Sequence, residues 1–176
     1  KLKSKNWKQV SCCTTATAQP GGAELWQLRH EARVLARVAQ ALRRQPNTKA
    51  ILMQASETST TALHPVKEIA ALTQDTETLL VVDGITAIGA MDIPMDQWGI
   101  DVLITGSQKA LMLPPGLAFL ALSPKAWRQT EQAQLPRFYF DLQKERKEQA
   151  KHTTAYTPRY GLDFLLMPLE QIQLSS

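Results

Sequence analysis

The sequence holds only two cysteines in 176 residues, and they stand side by side as Cys12 and Cys13. Adjacent cysteines rarely pair with each other, and two alone build no disulfide framework. Reduced thiols in a reducing, cytoplasmic setting are therefore expected. No uninterrupted apolar stretch nears the ~20 residues that a membrane-crossing helix needs, and no membrane association is expected. The N-terminus lacks the charged, apolar, then small-residue order of a signal peptide. It also lacks an initiating Met, so the chain reads as a piece of something longer. Aromatic residues make up only 6% and are not interleaved with the basic ones, and the net charge is a modest +4. Much of that charge sits in Lys1, Lys3, Lys5 and Lys8 and in Arg29, Arg33, Arg37, Arg43 and Arg44. These read as solvated faces, and no nucleic-acid partner is expected. His30, His64 and His152 show no metal-ligand or acid–base spacing, and there is no zinc or Walker pattern, so no metal site is expected.

What is present describes a soluble globular domain with a core of its own. Residues 1–22 have no readable pattern and close on the turn-like Gln19-Pro20-Gly21-Gly22. From Glu24 to Gln45, Leu25, Leu28, Ala32, Leu35, Ala39 and Leu42 recur at alternating steps of three and four. That spacing predicts an amphipathic helix with arginines on its wet side, ended by Pro46-Asn47. Apolar runs at Ala50–Ala55, Leu79–Val82, Asp101–Thr105 and Leu117–Leu122 predict strands. Between the first two, Pro65 opens a helix striped by Val66, Ile69, Ala70 and Leu72. Strands that are apolar throughout, alternating with helices, predict an α/β fold: a mostly parallel sheet with helices on both faces. Past Pro124 the pattern loosens. Residues 145–151 are charged and read as exposed, and 153–158 read as a loop.

The chemistry begins at Lys109. It follows the run Val102-Leu103-Ile104-Thr105-Gly106-Ser107-Gln108 and precedes Ala110-Leu111-Met112-Leu113-Pro114-Pro115-Gly116. A lysine at its ordinary value of about 10.4 is a poor nucleophile at neutral pH unless burial or neighbouring charge lowers it. The apolar, double-proline surroundings predict a desolvated amine on a rigid loop. Taken alone, such a lysine is more often structural or simply exposed. Asp83 sharpens the reading, because it closes the apolar run Leu79-Leu80-Val81-Val82 and would share an edge of the sheet with Lys109. A carboxylate there is costly unless it meets a cation or a set of donors. Two readings stand beside each other: Asp83-Gly84 caps a helix starting near Ile85, or Asp83 pairs with a protonated pyridine nitrogen. An amine and a carboxylate at the carboxyl ends of two buried strands lie where open α/β sheets place their ligands. Together they are the two protein groups that pyridoxal phosphate most needs.

Three stretches, SETSTTALHPVKEIA, LLVVDGITAIGAMDIPMDQWGIDVLITGSQKALMLPPGLAFLALS and FYFDL, carry a family resemblance. The chain resembles the class V aminotransferases of pyridoxal phosphate fold type I, and within them the alanine–glyoxylate and serine–pyruvate aminotransferases. The resemblance is strong from about Lys49 to Ser123 and weaker to about Leu162. It implies the large, cofactor-binding domain of such an enzyme, covering 23–176 in part, with the small C-terminal domain absent. It also implies transfer of an amino group from alanine or serine to a 2-oxo acid such as glyoxylate or pyruvate, in a homodimer. Lys109 would form the Schiff base with the cofactor and move the α-proton, and Asp83 would hold the pyridinium nitrogen. Ile85 would pack on one ring face, Thr58 would offer its hydroxyl to the phenolic oxygen, and Gln108 would help hold the phosphate. Each of the last three keeps a plainer alternative: core packing for Ile85, a helix-approach cap for Thr58, a loop hydrogen bond for Gln108. Among Thr153, Thr154, Tyr156 and Thr157, one would reach the partner subunit's cofactor; a plain loop is the alternative.

The sequence departs from the family in two respects. Thr61 stands where the family usually has glycine after its ETST element. The segments that supply a stacking aromatic, a glycine-rich phosphate loop and a carboxylate-binding arginine are not in the sequence, and Trp7 and Trp26 do not have the surroundings of that aromatic. Two further readings therefore remain. One is a truncated relative acting as a cofactor-binding or structural module without catalysis. The other is a different member of the family, such as a lyase; no reactive-loop cysteine speaks for a desulfurase.

Overall fold

A computed structural model of the chain describes residues 23–156, and side chains from residue 31 onward. The N-terminal segment 1–22 and Thr157 lie outside the described residues. Helix α1 (Ala23–Arg44) forms where the apolar repeat predicts it, but its buried stripe is centred on Val34, with Leu35 and Val38 packed against the core, while Ala32 of the repeat is exposed. Strand β1 (Ala50–Gln54) follows, then a short hairpin of β2 (Ser56–Glu57) and β3 (Ala62–Leu63), and helix α2 (Val66–Ala71). Strand β4 (Leu79–Asp83), the single turn of helix α3 (Met95–Trp98) and strand β5 (Val102–Gly106) come next. Strand β6 (Ala118–Leu122), α4 (Pro124–Glu131) and α5 (Leu142–Gln149) complete the described elements.

The main sheet has the order β1-β4-β5-β6. Strands β1, β4 and β5 run parallel, and β6 returns antiparallel beside β5. The sheet is thus mostly parallel, as the sequence predicts. The direction of β6 follows from its link: the 11 residues from Ser107 to Leu117 hold no helix, and an antiparallel return needs no crossover. On one face Ile51, Met53, Leu80, Val82 and Leu103 pack with Val34, Val66, Ile69, Ala70 and Ile100. Cross-strand partners share a face, so Leu52, Val81, Val102 and Leu122 form a row on the other. Among the described residues the core cluster lies on the first face, and Leu52 on the second is 72% exposed. No helix among the described residues is long and apolar enough to cross a membrane.

The described residues divide into two compact units at Arg128/Gln129. In the second unit Asp141 caps α5, its side chain accepting the backbone N–H groups of Gln143 and Lys144. The charged run read as exposed is mostly exposed and lies largely in a helix, which the sequence reading missed; the available signal was the aspartate in front of it. Phe138, Tyr139 and Tyr156 form an aromatic group, with Tyr139 and Tyr156 stacked at 4.6 Å.

At the amino ends of the strands in the first unit sits Asp101, only 3% exposed. Its Oδ2 accepts the N–H of Leu80 at 2.9 Å and pairs with Lys125 Nζ at 2.8 Å, while Oδ1 accepts the Ser123 hydroxyl at 2.8 Å. Lys125 Nζ also donates to the carbonyls of Thr76 and Thr78 at 3.3 and 3.0 Å. Removing one partner of a buried pair leaves the other charge uncompensated and costs roughly 3–5 kcal/mol. Asp101→Ala should lower unfolding stability by that amount. Lys125→Met should cost less, because Asp101 keeps two donors; a denaturant titration of both variants checks the order.

Candidate functional site

Parallel pairing of β4 with β5 brings their carboxyl ends to one edge of the sheet, with Asp83 in register with Ile104. The first residue past β4, Gly84, donates its N–H to the Ile104 carbonyl at 2.8 Å. Asp83 Oδ1 accepts the N–H of Ile85 at 2.9 Å. Ala87 and Ile88 both donate to the Gly84 carbonyl, and Ala90 and Met91 to the Ala87 carbonyl, so 84–91 holds two consecutive turns and no helix. The helix expected from Ile85 is thus replaced by turns, the first of which Asp83 caps with one oxygen. Its Oδ2 takes no hydrogen bond from the described residues. Exposed at the sheet edge, that oxygen is free to accept a proton-bearing ring nitrogen.

Lys109 lies three residues beyond β5 in a turn closed by Met112 N–H donating to the Lys109 carbonyl at 2.9 Å. The side chain is exposed, which corrects the expectation of desolvation: Met112, Pro114 and Pro115 are exposed too and do not fold over the amine. The loop is nonetheless held, and by Ser107. This residue is fully buried; its hydroxyl donates to the Pro114 carbonyl at 2.6 Å and accepts the N–H of Leu117 at 3.3 Å. Its own carbonyl accepts Leu113 N–H at 3.0 Å. Sequence reasoning placed the rigidity in the prolines and missed Ser107; the available signal was a small hydroxyl between a strand end and a lysine.

Gln108 and Ile85 meet over Gly106. A side-chain carbon on that glycine would stand 2.9 Å from Gln108 Oε1 and 3.2 Å from Ile85 Cδ1. The turn after Asp83 also reaches the lysine loop at Gly89, whose φ of 94° suits glycine; a side-chain carbon there would meet Leu111 Cδ2 at 3.2 Å and the Ala110 carbonyl group at 3.4 Å. Thr58 occupies the tip of the β2–β3 hairpin with an exposed side chain. That hairpin continues from β1, and Ala55 N–H donates to the Asp83 carbonyl at 2.8 Å, so it springs from the same edge of the sheet. The structure therefore brings Asp83, Ile85 and Gln108 into one neighbourhood, and sets Lys109 and Thr58 on loops rooted beside them. An amine, a carboxylate, an amide and a hydroxyl are groups of the kind that would meet the aldehyde, ring nitrogen, phosphate and phenolic oxygen of pyridoxal phosphate, and to that extent the residues fit it.

Thr154 and Tyr156 are engaged within the second unit. The Thr154 hydroxyl donates to the Tyr156 carbonyl, the Tyr156 hydroxyl donates to the Phe138 carbonyl, and Lys144 Nζ lies 4.1 Å over the Tyr156 ring. Thr153 is exposed.

The family description "Aminotransferase class-V" matches residues 6–158. The chain belongs to the class V aminotransferase family. It is 46% identical over 132 residues to the "Soluble hydrogenase, small subunit" of Synechococcus sp., a match covering 74% of this chain and 34% of that protein. It is 51% identical over 84 residues to the L-aspartate–glyoxylate aminotransferase of Paracoccus denitrificans, covering 48% of this chain and 21% of that protein. The crystal structure of an alanine–glyoxylate aminotransferase from Nostoc sp. superposes with a TM-score of 0.65 at 27% identity, over 70% of this chain and 33% of that one. The match thus spans about a third of these relatives' length or less.

Two features of the Thr58 hairpin are testable. Thr61, in the position where the family usually has glycine, has a φ of 56°. A left-handed residue with a branched side chain costs about 1–2 kcal/mol, and glycine returns about 0.5–1 kcal/mol of that as unfolded-chain entropy. Thr61→Gly should raise stability by up to ~1 kcal/mol, read as a higher melting temperature; a clear loss would refute the left-handed turn. Glu57 holds the same turn. Its Oε1 accepts the Ser59 N–H at 2.9 Å and the Ser59 hydroxyl at 2.8 Å, and these bonds hold its carboxyl below the usual glutamate range. A carboxyl depressed in the folded state stabilises fully above its unfolded value of about 4.3, and that contribution fades as pH falls through the lowered folded value. Amide exchange at Ser59, corrected for intrinsic rate, should therefore lose protection in that acid window, and Glu57→Gln should abolish the pH step.

Proposed function

We propose that the chain is the cofactor-bearing part of a pyridoxal phosphate-dependent aminotransferase, acting as a cytoplasmic homodimer. It would move an amino group from a small amino acid, alanine or serine, to a 2-oxo acid such as glyoxylate or pyruvate. The observation that carries the reading is the position of Asp83 and the Lys109 loop at the carboxyl ends of two adjacent parallel strands. Membership of the class V family and the glyoxylate aminotransferases among its relatives support it. In domain terms, residues 23–176 would be part of the large domain of such an enzyme.

Each residue has a role that follows from its chemistry. Lys109 Nζ, on a turn fixed by Ser107 and unengaged among the described residues, would offer a primary amine for covalent attachment of the cofactor and for moving the proton at the substrate α-carbon. Asp83, oriented by the Ile85 N–H, keeps Oδ2 for the ring nitrogen and would hold that nitrogen protonated. When bound, pyridoxal phosphate supplies an electron sink for charge developing at the α-carbon. Ile85 gives an apolar wall beside Gln108, whose amide can donate to a phosphate oxygen. Thr58 can donate its hydroxyl to the ring's phenolic oxygen.

The attachment is directly checkable. Addition of pyridoxal phosphate should give a visible absorbance band, and borohydride should then fix one phosphopyridoxyl group on the peptide that contains Lys109. Lys109→Ala should abolish fixation. Asp83→Ala should weaken retention of the cofactor and cut transamination by at least about a hundredfold, the scale on which a positioned proton-transfer apparatus acts. Fixation at another lysine would refute the assignment.

A further inference from the structure

Beyond the residues that would touch the cofactor, a half-buried side-chain bridge joins two of their loops. Past the Ala55–Asp83 backbone bond the two segments part. Strand β2 leaves the main sheet to pair with β3, while the turn after Asp83 closes on the Gly84 carbonyl. Across this gap the hydroxyls of Ser56 and Thr86, thirty positions apart, lie 2.5 Å from each other, and Thr86 Oγ1 also points at the Ser56 carbonyl at 3.4 Å. Both residues are half-buried. Ser56 stands two residues before Thr58; Thr86 is the neighbour of Ile85 and three residues after Asp83.

We propose that Ser56 and Thr86 form a positioning pair: their hydroxyl bridge sets the spacing between the hairpin that carries Thr58 and the turn that carries Asp83 and Ile85, and through it the affinity of the site for pyridoxal phosphate. This inference rests on the function proposed above. Its physical basis is that a two-strand hairpin of two residues a side has little order of its own. Placement of its tip to within the ~0.5 Å that a functional constellation requires must come from outside it. Thr86 suits the task because branching at Cβ restricts its χ1, so Oγ1 is presented from a nearly fixed point. The bridge touches no reacting atom and acts through the residues it holds.

The test uses Ser56→Ala, Thr86→Val, the double variant and the conservative Thr86→Ser in the full chain. In cofactor-free protein, amide exchange across 57–63 and at Ile85 should rise in both single variants and recover in Thr86→Ser. Unchanged exchange would overturn the tether whether or not the protein binds cofactor. With pyridoxal phosphate, each single variant should bind about threefold to tenfold more weakly, the equivalent of one net hydrogen bond. The double variant should be no worse than Thr86→Val, which already loses both the hydroxyl bridge and the bond to the Ser56 carbonyl that Ser56→Ala keeps. Visible circular dichroism of the bound cofactor should fall in step, a signal that a loss of stability alone does not move. Wild-type affinity in the variants, or independent losses that multiply, would overturn the positioning role. Failure of the unaltered chain to bind pyridoxal phosphate at all would instead overturn the functional reading, and the affinity claim with it.

Discussion

The Asp101 carboxylate is the point on which the first unit turns. A buried carboxylate is tolerated only where its charge and lone pairs are met. Here a backbone N–H from β4, a hydroxyl just after β6 and the ammonium of Lys125 meet them. The Ser123 N–H also donates to the Asp101 carbonyl at 2.8 Å. One residue thus links the starts of β4 and β5 to the end of β6 and the first turn of α4. It stands at the amino end of the parallel strands, and the site stands at their carboxyl end. Register fixed at one end of a five-residue strand is inherited at the other, since a slip of one residue would turn Asp83 to the opposite face. The chemistry proposed for the edge of the sheet would therefore depend on a carboxylate that has no chemical part in it.

How much of this was legible in the sequence depends on the range of the interactions. Helix α1 and strands β1, β4, β5 and β6 follow from local periodicity and apolar runs, and their limits agree to within a residue or two. Positions of Lys109 and Asp83 at strand ends were legible for the same reason. The β2–β3 hairpin was not: four strand residues separated by polar ones carry no periodic signal, and the pairing depends on where β1 deposits them. Nor was the part played by Asp101, because it is written in residues 22 and 24 positions further on, Ser123 and Lys125, which no window joins to it. Ser107 escaped for a related reason. Its hydroxyl bonds are made seven and ten residues ahead, after the chain has turned back.

Lys109 shows where composition misleads. Apolar neighbours and two prolines predict an amine out of water, yet apolar residues desolvate a group only if the backbone folds them over it. The turn here is set by hydrogen bonds around Ser107, and these send Met112, Pro114 and Pro115 outward. Thr61 shows the reverse. A residue foreign to the family pattern stands in the turn, and the turn keeps the left-handed conformation that glycine would have taken freely. In the first case local chemistry fails to fix the environment. In the second the surrounding hairpin imposes its geometry on an unfavourable residue.

Asp83 brings these two lessons together. Capping a turn and pairing with a ring nitrogen stood as competing readings of one carboxylate, but the group has two oxygens and the structure commits only one of them. A carboxylate free to rotate would present its charge over a cone and lose entropy on each binding event. One anchored through Oδ1 to the Ile85 N–H aims Oδ2 in a fixed direction. The same bond holds Ile85, so the residue proposed to wall the ring and the residue proposed to hold its nitrogen share a single constraint. The structural reading is then the means by which the functional one would work. A pyridine nitrogen seated on Oδ2 would meet a partner already oriented for it by a turn that forms with or without the ring.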